Sequence, residues 1–192
     1  HAAGNYAFAN RSALTERLRR TMRKFSGGDA EVNLIYDVSH NIAKIEDHRV
    51  HGVSCRCCVH RKGATRALGG DHSELASRFS GVGQPVLVPG DMGTASWVLA
   101  GPKSGTNEAF SSSCHGAGRR LSRKAARETI NGEQLISNLQ SKGIEVRART
   151  PRVIAEEAPD AYKNVDDIIR LTSQAGLARP VARLTPLVVI KG

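Results

Sequence analysis

The segment SSSCHGAGRR, residues 111–120, sets a histidine directly before a Gly-Ala-Gly run and two arginines, a pattern suited to chemistry on a phosphate. Small residues let a phosphate approach the backbone closely. Successive N–H groups where a helix begins then form an anion nest, helped by the positive end of the helix dipole. An imidazole titrates near ~6.5 before perturbation, and a cationic helix end beside His115 would keep it neutral, with one nitrogen free to attack phosphorus. A histidine satisfied at a turn, or one that ligates a metal, would fit the same residues, and the Gly-rich run alone does not separate these readings.

Other segments add polar groups of the right kinds. YDVSHNIAKIEDH places His40 at the end of an apolar run with Asn41 beside it, a common setting for a metal ligand, although a catalytic site needs about three protein ligands. His48, with Glu46 and Asp47, reads as part of a solvated helix face. VHRKGATRA sets Arg61, Lys62 and Arg66 around Gly63, a basic turn that either holds phosphates or is merely solvated. PVLVPGDMGTASW offers Gly90 and Gly93 in a tight loop with the hydroxyls of Thr94 and Ser96, and Lys191 is the penultimate residue, after an apolar run. Cys55, Cys57 and Cys58 crowd together while Cys114 stands apart, which suits buried strand cysteines better than a disulfide framework or a zinc site with two separated ligand pairs.

The elements that must carry these groups follow from periodicity and breakers. Leu14, Leu18, Met22 and Phe25 predict an amphipathic helix over residues 5–25, closed by SGGD. VNLIYDV and VSCRCCV predict strands on either side of HNIAKIEDH, and PVLVP and SWVLAG predict a hairpin around PGDMGT. RRLSRKAARETI predicts a helix, as does EQLISNLQSK with Gly143 as its cap. A strand near IEVRA, a helix over NVDDIIRLTSQAG with Val165, Ile168, Ile169 and Thr172 on one face, and a strand at PLVVI complete the chain. Strands and helices mix without a βαβ rhythm, so the predicted class is α+β.

Composition narrows the partners. The 192 residues are 40% hydrophobic, enough for one globular domain, and carry 28 basic against 18 acidic residues for a net charge of +10. Twenty of the basic residues are Arg, which suits bidentate recognition of phosphate. Because they are spread along the chain, a nucleic acid or nucleotide partner and a solubilising surface explain the charge equally well. No run approaches the ~20 apolar residues of a membrane span and no secretory signal is present, so no membrane association and a cytoplasmic location are expected. The first residue is His1 and HAAGNYAFANR has no helix cap before it, so further sequence upstream is expected.

Taken in order, YDVSHNIAK, HRKGATRA, GQPVLVPGDMGTASW, SSSCHGAGR, SRKAA, APDAYKNVD and the terminal VIKG resemble successive motifs of the RtcB RNA ligase family, from about Asn5 to Gly192. The resemblance implies that residues 1–192 are the C-terminal part of such a ligase's catalytic domain, its N-terminal half absent from this chain. It implies that His115 becomes guanylylated by GTP and that His40 binds manganese, with Asn41 at the nucleotide. It places Pro89, Gly90, Asp91 and Met92 along the same pocket, Ser96, Tyr162 and Lys191 at the guanine base, and Gly116, Ala117 and Gly118 around its ribose and phosphate.

The implied activity is a GTP- and manganese-dependent RNA ligase, as in tRNA splicing and RNA repair, which joins 2′,3′-cyclic phosphate or 3′-phosphate ends to 5′-hydroxyl ends through a histidine–GMP intermediate. RNA and GTP are the implied partners, and an activating archease is permitted. The family's further metal ligands, a cysteine, an aspartate and two histidines, have no match here, and neither Cys114 nor the CRCC cluster replaces them. The isolated chain is therefore expected to be inactive. A nucleotide- or RNA-binding module without turnover is the alternative, and a paralogue acting on another damaged nucleic-acid end is a third possibility.

Overall fold

A computed structural model of the chain describes residues 2–148 and 150–185, so Lys191 and the predicted strand at PLVVI lie outside the described residues. The first element is the predicted helix, α1 (Ala2–Phe25), none of whose residues is buried. Its side chains dock it sparsely: Arg11 donates to both carboxylate oxygens of Asp37, at 2.5 and 2.8 Å, and Arg19 to the carbonyl of Val32. Tyr6 and Phe25 remain 78% and 85% exposed.

VNLIYDV runs outside any strand, with Leu34 and Ile35 exposed, and is tied down by bonds from Arg11, Arg19 and Arg78. The strand is β1 (Asn41–Val50), the segment expected to be a connection, and it pairs antiparallel with β2 (Val53–Lys62) around a turn at His51 and Gly52. His48 is accordingly on a strand and buried, not on a solvated helix. The short β3 (Ala64–Arg66) follows immediately.

The predicted hairpin is present as β4 (Pro85–Val88) and β5 (Ser96–Ala100), with Val88 opposite Trp97. Next in the chain comes β6 (Ser112–Cys114), paired antiparallel with β3 so that Ala64 lies opposite Cys114. Three helices of the remainder carry the asparagine or serine caps that their sequences offer. Ser122 accepts from Ala125 N ahead of α2 (Arg123–Thr129), and Asn131 caps α3 (Gly132–Gln140). The strand expected near IEVRA is absent, and a short helix, α4 (Pro151–Glu156), follows it. Asn164 caps α5 (Val165–Gln174), which buries Val165, Ile169 and Thr172 as its periodicity predicted. The last described strand, β7 (Arg179–Leu184), adds to the hairpin in the order β4-β5-β7. Its arginines and Pro180 interrupt the apolar run by which a strand is recognised.

The observed class is α+β, as expected. The core sits between the three-stranded sheet and α5: Val86, Val88, Leu99, Val165 and Ile169 with Ala67, Ala95, Ala117 and Ala178, and with Trp97 and Cys114 packed against it. Burial of apolar surface at about 25 cal/mol per Å² holds these elements together. Ala117 belongs to that core, so the loop that carries His115 is mounted directly on it.

Candidate active site

His40 ends the segment before β1, and His115 follows β6. Their rings are stacked, with centroids 4.4 Å apart and planes 18° from parallel. The Gly63 turn between β2 and β3 joins the two strand ends: its N–H donates to Asn41 Oδ1 at 3.3 Å and its carbonyl accepts from His115 N at 3.2 Å. Gly63 has φ +64°, a left-handed conformation that glycine adopts without strain.

Beyond His115 the chain meets the hairpin loop, where Ala117 N donates to the carbonyl of Pro89 at 3.2 Å. That loop is shaped from within. Asp91 is buried and accepts from Gly93 N on one oxygen (2.8 Å) and from the Thr94 hydroxyl on the other (2.9 Å), while Gly90 N donates to Ser96 Oγ at 3.4 Å. A Cβ on Gly90 would stand 1.9 Å from the Ala95 carbonyl oxygen, so only glycine fits. On the far side Lys163 N donates to Gly118 O at 2.9 Å, and Arg119 bridges to Tyr162. His40, Asn41 and Pro89 thus meet the segment from His115 to Ala117 directly or through Gly63, Gly90, Asp91 and Ser96 shape the loop that carries Pro89, and Tyr162 pairs with Arg119 just past Gly118; Met92 lies in the same hairpin loop. Lys191 is outside the described residues.

The electrostatics differ from expectation in cause. Burial, reinforced by the neighbouring His40, lowers the pKa of His115 to about 4, against an opposing influence of the Leu87 backbone. Its Nδ1 is buried without a hydrogen-bond partner. No helix end supplies this effect, because α2 begins at Arg123, after Ser122, and the N–H groups of His115 and Ala117 are already bonded to carbonyls. The expected anion nest at a helix start is therefore corrected to a loop whose glycines, Gly116 and Gly118, carry positive φ.

Tyr162 is held by its hydroxyl, which donates to Glu157 Oε2 and accepts from Arg119 Nη1 at 2.9 Å. Burial first, then the Glu157 carboxylate, push its pKa up to about 12, so the phenol stays neutral. Arg119 also lies 4.7 Å from the Tyr162 ring centre.

The basic turn expected around Gly63 is corrected as well. The Arg61 side chain is only 1% exposed and pairs with Glu46, Arg66 is partly exposed and pairs with Glu74 at 2.7 Å, and of the three basic residues only Lys62 is exposed. Burial alone would raise the Glu46 pKa, but bonds from Arg61 and His48 outweigh it and hold the carboxyl below its usual range. These residues were missed as a functional unit; the signal was present in the alternation Lys44, Glu46, His48, which shares one face of the ribbon with Arg61. Cys55 and Cys57 are half-buried on β2, Cys58 is exposed rather than buried, and Cys114 Sγ lies 3.1 Å from Thr172 Oγ1. Among the described residues no group of three or more His, Cys, Asp or Glu side chains is placed to hold a metal ion. No helix among them is long and apolar enough to cross a membrane.

The family profile described as tRNA-splicing ligase RtcB matches residues 1–192, the whole chain. The chain belongs to the RtcB ligase family. The RtcB of Thermococcus kodakarensis, named tRNA-splicing ligase, is 50% identical over 100% of this chain and 40% of its own length. The RtcB of Mycobacterium tuberculosis, named RNA-splicing ligase, is 53% identical over 100% of this chain and 43% of its own length. An RtcB homolog of Entamoeba dispar is 42% identical over 100% of this chain and 36% of its own. The chain thus spans less than half the length of these RtcB relatives.

Proposed function

We propose that this chain is the C-terminal part of a GTP- and manganese-dependent RNA ligase and that His115 is its nucleophile. The observation that carries the reading is the stacked His40–His115 pair, with His115 held neutral by burial at the end of a glycine-flanked loop. A neutral imidazole keeps its lone pair at physiological pH and can attack phosphorus. With Nδ1 enclosed, Nε2 is the nitrogen left to form the bond.

The reaction has three steps. His115 attacks the α-phosphorus of GTP, a P–N bond forms, and pyrophosphate leaves with the broken P–O bond. The GMP passes to an RNA 3′-phosphate, obtained by opening a 2′,3′-cyclic end. A 5′-hydroxyl then attacks that activated phosphate and expels GMP. Asn41 and the loop from Pro89 to Met92 line the nucleotide, Ser96, Tyr162 and Lys191 address guanine, and Gly116 to Gly118 let its phosphate approach the backbone. The +10 charge suits a polyanionic substrate. A cytoplasmic location goes with that substrate.

Manganese, when bound, supplies Lewis-acid stabilisation of phosphoryl oxygens. His40 is the one side chain here assigned to hold it, and its exposed imidazole beside His115 fits that role. The remaining ligands belong to the part of the ligase outside this chain. By itself the chain is a nucleotide- or RNA-binding half-site, a reading favoured by the lack of a three-ligand cluster among the described residues. Labelled GTP and manganese, added to the complete ligase, test the proposal through covalent transfer of GMP to His115.

A further inference from the structure

We propose that Arg61 is a positioning residue that holds a strained turn, Phe110–Ser111, against the β1–β2 ribbon and thereby sets His115 against His40. The inference rests on the functional reading above. Arg61 uses its whole guanidinium: Nη1 and Nη2 donate to the two carboxylate oxygens of Glu46, both at 2.8 Å, Nε donates to Ser112 Oγ at 2.9 Å, and Nη2 also donates to the Phe110 carbonyl at 2.8 Å.

The turn it holds is costly. Phe110 and Ser111 have φ of 52° and 50°, the left-handed region that non-glycine residues avoid and occupy only where their surroundings over-determine it. Three contacts do so. Arg61 holds the Phe110 carbonyl, Ala67 N donates to Ser111 O at 2.7 Å, and Asn107 bonds Ser112 through both its N–H and its carbonyl. The turn opens directly into β6, whose three residues lead to His115. Relaxation at Phe110 would therefore move the nucleophile.

The other half of the clamp fixes the ribbon. Among the described residues β1 and β2 form a sheet of two strands only, with no third strand to steady it. Their register puts Ile42 opposite Arg61 and Asn41 opposite Lys62, so Arg61 leaves β2 beside the strand end that carries His40, and its guanidinium reaches along the ribbon to Glu46 on β1. Glu46 in turn accepts from His48 Nε2 at 3.0 Å, and the His48 ring stands edge-on to Phe110 at 5.1 Å. Lysine cannot replace this fork, since a single ammonium cannot serve a carboxylate, a hydroxyl and a carbonyl in that geometry.

The test compares the complete ligase with its Arg61→Lys variant and with Arg61→Lys/Ser111→Gly, in which glycine removes the left-handed penalty. Single-turnover labelling by GTP and manganese is read beside the ring-proton signals of His40 and His115 in the metal-free protein, which stacking displaces upfield. We expect Arg61→Lys to slow labelling about 100-fold at saturating GTP, with half-saturation unchanged, as a displacement near 1 Å would. The stacking displacement should vanish, and Ser111→Gly should restore both in part.

Labelling at the wild-type rate, unmoved ring signals, or no rescue by Ser111→Gly would each overturn the proposal. Should Arg61→Lys fail to fold, Glu46→Gln decides instead: a loss of about tenfold, the worth of a charge-assisted bond, supports the clamp, and a wild-type rate refutes it. If the unaltered ligase takes no label, the functional reading fails, while the ring-proton comparison still decides whether Arg61 sets the stack.

Discussion

The imidazole of His115 lies 4.4 Å from that of His40 and nearly parallel to it, although the two flank strands of different sheets, His40 just before β1 and His115 just after β6. Two rings so placed cannot both carry a proton without mutual repulsion, and burial decides that His115 stays neutral.

A pH dependence follows. With its pKa lowered from 6.5 to about 4, His115 remains neutral through the physiological range, so its protonation should not limit guanylylation between about pH 5 and 8. The sign for stability is fixed by the same shift. Between about pH 4 and 6.5 the unfolded chain binds a proton that the folded chain does not, so this contribution is complete above the unfolded value and declines as pH falls towards 4. Ring-proton titration of His115 should give a midpoint well below that of a free histidine, and a midpoint near the ordinary value would contradict the buried site.

Gly90 offers a steric test. Its missing side chain leaves room for the Ala95 carbonyl, and the clash in Gly90→Ala would displace the loop that Ala117 N grips through Pro89. We expect a loss of about 1–3 kcal/mol, as for other overpacked sites, seen as a lower Tm, together with weaker GTP saturation. Unchanged Tm and saturation would mean that the loop is not packed as described.

Base choice is a separate matter from nucleophilicity. Ser96, Tyr162 and Lys191 are assigned to guanine, and a site built to hydrogen-bond one base rejects another strongly. GTP should label His115 while ATP should not, and Lys191→Ala should weaken labelling without touching metal binding. Equal labelling by ATP would remove the guanine assignment.

The chain by itself should neither ligate RNA nor hold manganese at micromolar strength, because the proposal assigns it one ligand, His40, where about three are needed. Calorimetric titration checks this, and tight binding by the purified 192-residue chain would show that other residues make the site. The exposed Tyr6, Phe8 and Phe25 on α1 should also bind an apolar dye until the rest of the ligase is added as a second chain. Dye binding that persists in the mixture would argue against that covering role.

Much of this arrangement was legible in the sequence where apolar periodicity and caps did the specifying. The α1 stripe, the Pro85–Ala100 hairpin and the buried face of α5 are cases in which one hydrophobic period, or a turn between two apolar runs, dictates the element. Of the motif residues, His40 stacks on His115 and Pro89 accepts from Ala117 N. What escaped was structure built on paired charges. β1 alternates Lys44, Glu46 and His48 on the face turned to Arg61, so its inward side looks polar and the segment reads as a connection, while the more apolar VNLIYDV beside it has no strand partner. β7 was hidden in the same way by Arg179 and Arg183, which bond to Gly101 O and to Asp166. The helix start expected after Gly118 was displaced by Ser122, which caps α2, and by Arg120 and Leu121, whose N–H groups donate to Ala161 O.

The most direct measurement is covalent labelling of the complete ligase by α-labelled GTP with manganese, followed by mapping of the adduct. A histidine phosphoramidate is labile in acid and stable in alkali, so we expect an acid-labile, alkali-stable GMP on His115 and no label in the His115→Ala variant. Label that persists in His115→Ala, or that maps to another residue, would contradict the assignment of His115 as the nucleophile.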